Sequence, residues 1–183
     1  IFDFKFRESI DAFYSTSDIV LCVTQDVKKE LFGDDIFDKC AVIYSGIELE
    51  DDYIRKDVAN LEKHFPNSDG PIFCIPATIQ PGKGQVDLVN AVVTLLKRGV
   101  QVRCLLVGSI LDHDYFMELN ELISVSGYAD HFCYLSFVDD IYSILKGIDC
   151  VVSSSKNEAL GRVLIEASLL GKPIIYTNKG GSK

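Results

Sequence analysis

Short apolar runs alternate with amphipathic stretches along most of the chain. "DIVLCVT" precedes "QDVKKELFG", "PIFCIPA" precedes "QVDLVNAVVTLLKRG", and "VRCLLVG" precedes "DYFMELNELISVSG". The alternation continues through "FCYLSF" and "DIYSILKG", then "DCVVSSS" and "LGRVLIEASLLG", and ends on "PIIYT". A strand that is apolar throughout needs cover on both faces, and the helices between such strands supply it. The pattern therefore predicts a Rossmann-like α/β fold, a mostly parallel sheet with helices on both faces. Gly99, Gly127, Gly147 and Gly171 fall where four of the helices should end, as expected where the chain turns left-handed to leave a helix.

One stretch breaks the rhythm. "GIELEDDYIRKDVANLEKHFPNSDG" is polar and acidic and carries no strong strand signal, so it reads as a connection holding one short helix. The expected organisation is residues 1–47 as the end of a first domain, 48–70 as the connection, and 71–183 as a more complete α/β domain, truncated at its C-terminal end. The first segment holds only two plausible strands, too few for an independent α/β domain, and the chain starts at Ile1 rather than Met. A piece of something longer is the expectation.

Composition narrows the class. With 183 residues, 48% hydrophobic and 25% charged, the chain can bury one or two cores. A formal net charge of -9, from 27 acidic against 18 basic residues, argues against a nucleic-acid surface, which would need clustered Lys and Arg. No run approaches the ~20 apolar residues of a membrane-spanning helix, and the start "IFDFKFRESID" lacks the regions of a signal peptide. A cytoplasmic location is expected. The six cysteines stand singly in strand-like runs with no CxxC, and the three histidines lie far apart. Buried free thiols, not a zinc site, are the expectation.

In open α/β sheets, ligands bind beyond the carboxyl ends of the strands, where loops enter the next helix. After "PIFCIPA" comes "TIQPGKGQ", with Pro81, Gly82 and Gly84 around Lys83. Glycines allow close backbone approach to an anion and the lysine adds a point charge, though an ordinary turn with a solvated lysine has the same sequence. "NEALGRVLIEASLLGKP" is more specific. A helix beginning near Gly161 leaves Glu158 in the connecting loop and puts Glu166 about 1.5 turns in. The N–H groups of Gly161, Arg162 and Val163 would then point out of the helix start, suited to a diphosphate, while the two acids suit sugar hydroxyls. The plain alternative makes Glu158 a cap and Glu166 an exposed helical residue.

"NEALGRVLIEASLLGKPII", with its E-x7-E spacing, resembles the signature of the GT-B glycosyltransferases of the group 1 class, also called family 4. The resemblance runs through "CAVIYSGIE", "PGKGQVDLVNAV", "CLLVGS", "YLSFVDDIYSILKGIDCVVSSS" and "TNKGGS", in the family's order. It implies the C-terminal nucleotide-sugar-binding half of a GT-B fold, preceded by the end of the N-terminal acceptor domain. The implied activity is transfer of a sugar, with retention of configuration and without a metal, from a UDP- or GDP-sugar to a saccharide or lipid-linked acceptor. Surface polysaccharide or glycoconjugate synthesis is the implied setting. Glu166 matches the glutamate that binds the nucleotide ribose, Glu158 the one that meets hydroxyls of the transferred sugar, and Lys83 the lysine that neutralises the diphosphate. Glu158 and Lys83 thus carry the catalytic roles. Gly161, Arg162 and Val163 fall where backbone amides meet phosphate, and Val138 where the base is held. No cofactor beyond the donor substrate is implied.

Some positions depart from the pattern. Thr78 stands where the family often has a second phosphate-binding arginine, with Arg162 a candidate substitute, and Ser45 replaces the usual asparagine of the junction turn. The family's acceptor domain is represented only by its last elements, so this stretch alone is expected to transfer little or nothing, and membrane contact would come only through the missing half, at the inner face. The "DHD" at Asp112–Asp114 and the pair Asp139 and Asp140 resemble metal motifs but read as solvated loop acids. Using Glu158 and Glu166 as a glycosidase pair, which needs carboxyls about 5 to 10 Å apart, would leave the phosphate-type loops without a purpose. A GT-B epimerase does not usually carry this E-x7-E sequence. The remaining rival is a nucleotide-sugar-binding module of the same fold that has lost transfer, which Thr78 favours.

Overall fold

A computed structural model describes residues 12, 14–33, 39–47, 57–156 and 158–178. The chain forms two compact units, one built on the residues up to Gly46 together with Glu158–Leu160, the other on Ile47–Asn157 and Gly161–Asn178.

In the first unit, β1 (Val20–Cys22) and β2 (Cys40–Val42) pair in parallel, with Val20 opposite Cys40 and Cys22 opposite Val42. Parallel neighbours need a crossover, and α1 (Gln25–Phe32) supplies it. Thr24 fixes where α1 begins, its hydroxyl oxygen accepting the Val27 N–H at 3.1 Å. Val20, Cys22, Phe32 and Cys40 form a small core with Tyr14, Val27, Leu31 and Val42 against it. Cys22 Sγ and Cys40 Sγ lie 3.5 Å apart, and burial, reinforced by that contact, pushes the Cys22 thiol up to about 11. All six cysteines are free thiols.

The second unit contains β3 (Ile72–Pro76), α2 (Gln85–Lys97), β4 (Arg103–Val107), α3 (His113–Val125), β5 (Phe132–Leu135), α4 (Ile141–Gly147), β6 (Cys150–Ser153), α5 (Arg162–Leu169) and β7 (Ile174–Tyr176). The strands form one parallel sheet in the order β5-β4-β3-β6-β7. Because strand side chains alternate faces, the apolar runs feed two cores. Ile72, Cys74, Leu105, Val107 and Val151 meet Ile144 and Leu145 of α4 and Leu164 and Ala167 of α5. Ile75, Cys104, Leu106 and Val152 meet Leu88, Val89 and Val92 of α2 and Leu119 of α3. Each side chain so buried contributes roughly 1.5–3 kcal/mol of transfer free energy, which is why these strands are apolar at consecutive positions. The expected Rossmann-like α/β architecture is the one observed.

One detail differs from the sequence reading. Gly99, Gly127 and Gly171 have the expected left-handed φ of 80°, 79° and 69°, whereas Gly147 is the last residue of α4 and has no positive φ. Close packing explains it: a Cβ at Gly147 would lie 2.9 Å from Ala59 O and 3.1 Å from Leu61 Cδ1. Within the connection, residues 57–70 contain a single 3-10 turn, Glu62–His64, while 48–56 lie outside the described residues, as do Gly180 and Gly181 of "TNKGGS". Glu62 meets the buried Arg103 guanidinium, which also stacks 5.3 Å from the Phe65 ring centroid and donates to Gly70 O at 2.7 Å. Strand order reverses direction between β3 and β6, and a crevice is expected at the carboxyl ends of those strands.

Candidate functional site

The described helices of seven residues or more start in two different ways. Thr24, Asp112 and Asp140 cap α1, α3 and α4, their side chains accepting from Val27, Tyr115 and Ser143 N–H respectively. This corrects the reading of Asp112 and Asp140 as solvated loop acids, since a carboxylate just ahead of a helix finds an orphan amide. By contrast, α2 and α5 begin at left-handed glycines with no side-chain cap, Gly84 (φ 82°, ψ 20°) and Gly161 (φ 65°, ψ 46°). These two helices follow β3 and β6, the strands that flank the switch point.

The loop ahead of α2 is pinned by its neighbour. Ser154 Oγ donates to Gly84 O at 2.8 Å, and Lys156 N–H donates to Gly82 O at 2.8 Å. A Cβ on Gly84 would lie 2.4 Å from Ser154 O, so glycine is required there by space as well as by φ. Lys83 sits half-buried in this loop. The first turn of α2 is partly satisfied from within, as Val86 N–H donates to Tyr115 Oη at 3.3 Å; the side chain of the wholly buried Gln85 ties the turn to the preceding loop, its Nε2 donating to Thr78 O at 2.9 Å. Burial pushes the Tyr115 phenol up, and the Val86 N–H partly offsets this.

Beside the start of α5 opens a cavity of about 590 Å³. Its walls are the ends of β3 and β4 with the loops after them (Ala77, Thr78, Gly108, Ser109), the loop before α4 (Phe137, Val138, Asp139), and Arg162, Val163 and Glu166. Four of the residues singled out from sequence therefore meet at one surface: Val138, Arg162, Val163 and Glu166. Gly161 caps the helix that carries three of them. Lys83 is not in the cavity wall but stands on the loop that follows Thr78. Glu158, half-buried, belongs to the first unit and is not in the wall either.

The electrostatics of the wall are uneven. Burial pushes the Glu166 carboxyl above its ordinary value, and the Arg162 guanidinium, 3.9 Å away at i,i+4, pulls it partly back. A half-buried carboxylate of this kind gains from hydroxyl donors that restore lost hydration. At the same helix, geometry leaves the Arg162 and Val163 N–H groups without a carbonyl one turn back and Gly161 brings no side-chain cap, while Leu164 N–H reaches Gly161 O at 2.8 Å. The surface thus combines amide donors for an anion with an acceptor for hydroxyls.

Sequence reading missed several wall residues. Gly108 looked like a strand end, but a Cβ there would lie 2.2 Å from Ala77 O, so it lets the β3 and β4 loops close together. Phe137 is 67% exposed beside Val138, a large apolar side chain in a polar loop, which was a readable signal. The Gln85–Tyr115 contact spans thirty residues and left no local trace.

A parallel α/β unit with its crevice at this switch point matches the Rossmann-like half of a GT-B fold. The chain belongs to the family of glycosyl transferases group 1, whose sequence profile matches residues 58–183. Among curated relatives, 2-deoxystreptamine glucosyltransferase of Streptomyces kanamyceticus is 29% identical over 129 residues, covering 68% of this chain and 33% of that protein. Among solved structures, Anabaena Alr3699/HepE in complex with UDP and glucose superposes with a TM-score of 0.81 at 25% identity, over 96% of this chain and 48% of that one. A glycosyltransferase from Rickettsia africae gives 0.77 at 27% identity, over 99% and 50%. The chain spans about a third of the length of the curated relatives it matches. Among the described residues, no helix is long and apolar enough to cross a membrane.

Proposed function

We propose that this chain supplies the donor-binding part of a glycosyltransferase that takes a UDP- or GDP-sugar and transfers its sugar, with retention, to a saccharide or lipid-linked acceptor. Residues 71–183 form the donor domain in this reading, 1–47 the end of the acceptor domain, and 48–70 the connection between them. The observation that carries it is the pairing, on one cavity wall, of the uncapped α5 start with the half-buried Glu166 carboxylate. The diphosphate lies at the amides of Gly161, Arg162 and Val163, the ribose hydroxyls reach Glu166, and the base rests near Val138. Alr3699/HepE, solved with UDP and with UDP-glucose, supports a uridine nucleotide as donor.

As the glycosidic bond breaks, negative charge collects on the departing diphosphate. Lys83 and the helix-end amides stabilise that charge without a metal ion, and fixed donors of this kind need no reorganisation during the reaction. Glu158 orients the transferred sugar through its hydroxyls. The activity serves surface polysaccharide or glycoconjugate synthesis, at or near the inner face of a membrane.

The test is to assay the intact protein with UDP- and GDP-sugars, alongside Glu158→Ala and Lys83→Ala. Donor hydrolysis or transfer that falls by about a hundredfold or more in both variants supports the enzyme. Tight nucleotide binding with no turnover by the intact protein would make the chain a binding module instead.

A further inference from the structure

The side chains that cap α1, α3 and α4 differ in one respect. Asp112 and Asp140 are carboxylates and only accept, whereas the Thr24 hydroxyl accepts and also carries a proton. Thr24 is buried, 4% exposed, so that proton needs a partner within the protein. It finds one 135 residues away: Thr24 Oγ1 donates to Ala159 O at 3.1 Å while accepting the Val27 N–H at 3.1 Å. Ala159 directly follows Glu158, and Glu158–Leu160 belongs to the first unit although the chain enters this stretch from β6 and leaves it into α5. Ala159 is itself exposed, so burial does little to hold its peptide. Capping alone does not call for this arrangement, since Asp or Asn would accept the Val27 N–H as well or better.

We propose that Thr24 is a positioning residue for Glu158: its hydroxyl ties the Ala159 carbonyl to the start of α1 and so sets where the Glu158 carboxylate stands. The inference rests on the reading of Glu158 as the acid that orients the transferred sugar. The tether acts one residue from that acid, in a loop, where any backbone freedom passes directly to the side chain. A displacement of about 1 Å at a reacting centre costs on the order of a hundredfold in rate. Thr24 itself touches no part of the donor in this reading. The nucleotide is held by the α5 amides and Glu166, so loss of the tether acts on turnover and spares nucleotide affinity.

The experiment compares the intact protein with Thr24→Val, Thr24→Ser and Thr24→Asp. Steady-state kinetics use the UDP- or GDP-sugar that the parent turns over fastest, calorimetry gives the affinity for UDP or GDP, and thermal unfolding reports the helix cap. Valine removes both hydrogen bonds, serine keeps both, and aspartate keeps the acceptor for Val27 with no proton to donate. Thr24→Val should lower kcat about tenfold or more with nucleotide affinity within about twofold of the parent, and Thr24→Ser should recover most of kcat. Thr24→Asp should unfold above Thr24→Val yet lose kcat as Thr24→Val does; should Thr24→Val not fold, Thr24→Asp against Thr24→Ser decides. Added to Glu158→Ala, Thr24→Val should cost little more, because Thr24 acts through Glu158. Parental kcat in Thr24→Asp would overturn the proposal, since a cap alone would then suffice. So would a fall in kcat matched by an equal fall in nucleotide affinity, which marks a role in folding only, or an undiminished further loss on top of Glu158→Ala. A parent with no turnover, or a Glu158→Ala variant as active as the parent, would remove the reading of Glu158 itself, and this inference with it.

Discussion

The two glycine-led helix starts, at α2 and α5, look alike in sequence and differ in what fills them. Each begins at a left-handed glycine without a side-chain cap, and each follows a strand at the switch point. At α2 the protein uses the start for itself: Tyr115 Oη accepts the Val86 N–H, buried Gln85 anchors to Thr78 O, and Ser154 closes over Gly84. At α5 the start borders the cavity, with Arg162, Val163 and Glu166 in its wall. One turn is held within the protein and carries Lys83; the other is the docking end in the proposed function.

Substitutions at matched positions should separate the two. Gly84→Ala combines a left-handed φ with a Cβ placed 2.4 Å from Ser154 O, and should lower stability by about 2–5 kcal/mol in denaturant unfolding. A loss under about 1 kcal/mol would mean the loop can move away from Ser154. Glu166→Gln should weaken nucleotide binding about tenfold to a hundredfold, because a charged acceptor becomes a neutral amide.

The same variant should behave differently in stability. Glu166 has a raised pKa in the folded state, so the folded protein binds more protons than the unfolded chain just above the ordinary carboxylate range. Stability therefore falls as pH rises through that window, and the cost persists at neutral pH. Thermal unfolding of Glu166→Gln should show equal or higher stability than the parent at pH 7, the difference vanishing below about pH 4. A variant clearly less stable at pH 7 would make Glu166 a structural residue.

Gly161→Ala costs left-handed strain of about 1–2 kcal/mol and should also weaken nucleotide binding, since the amides of α5 shift with it. Finally, Tyr115→Phe should cost about 1 kcal/mol in stability and leave nucleotide affinity within about twofold, as expected if α2 serves as scaffold.

These contrasts also mark how far the sequence could be read. Parallel architecture was legible because "IFCI" and "CLLV" are apolar at consecutive positions, which only a sheet covered on both faces requires. Arg162, Val163 and Glu166 were legible because their helix lies close to the glycine that starts it, so spacing alone puts them together. Asp112 was misread as a loop acid because its helix was begun at Asp114, and Asp140 because the capping role of the carboxylate that opens "DIYSILKG" was overlooked. What stayed hidden depends on contacts between distant segments: Ser154 over Gly84, Tyr115 beneath Val86, and Ala77 against Gly108. Such contacts leave no periodicity, so the difference between an occupied and an open helix start cannot be read locally.

Amide NMR of the isotope-labelled intact protein, titrated with UDP, separates the two helix starts most directly. Docking at α5 should shift the Arg162 and Val163 amides strongly and move Val86, held by Tyr115, little. Shifts concentrated at Val86 and Gln85, or confined to residues remote from both helix starts, would contradict a diphosphate site at Gly161.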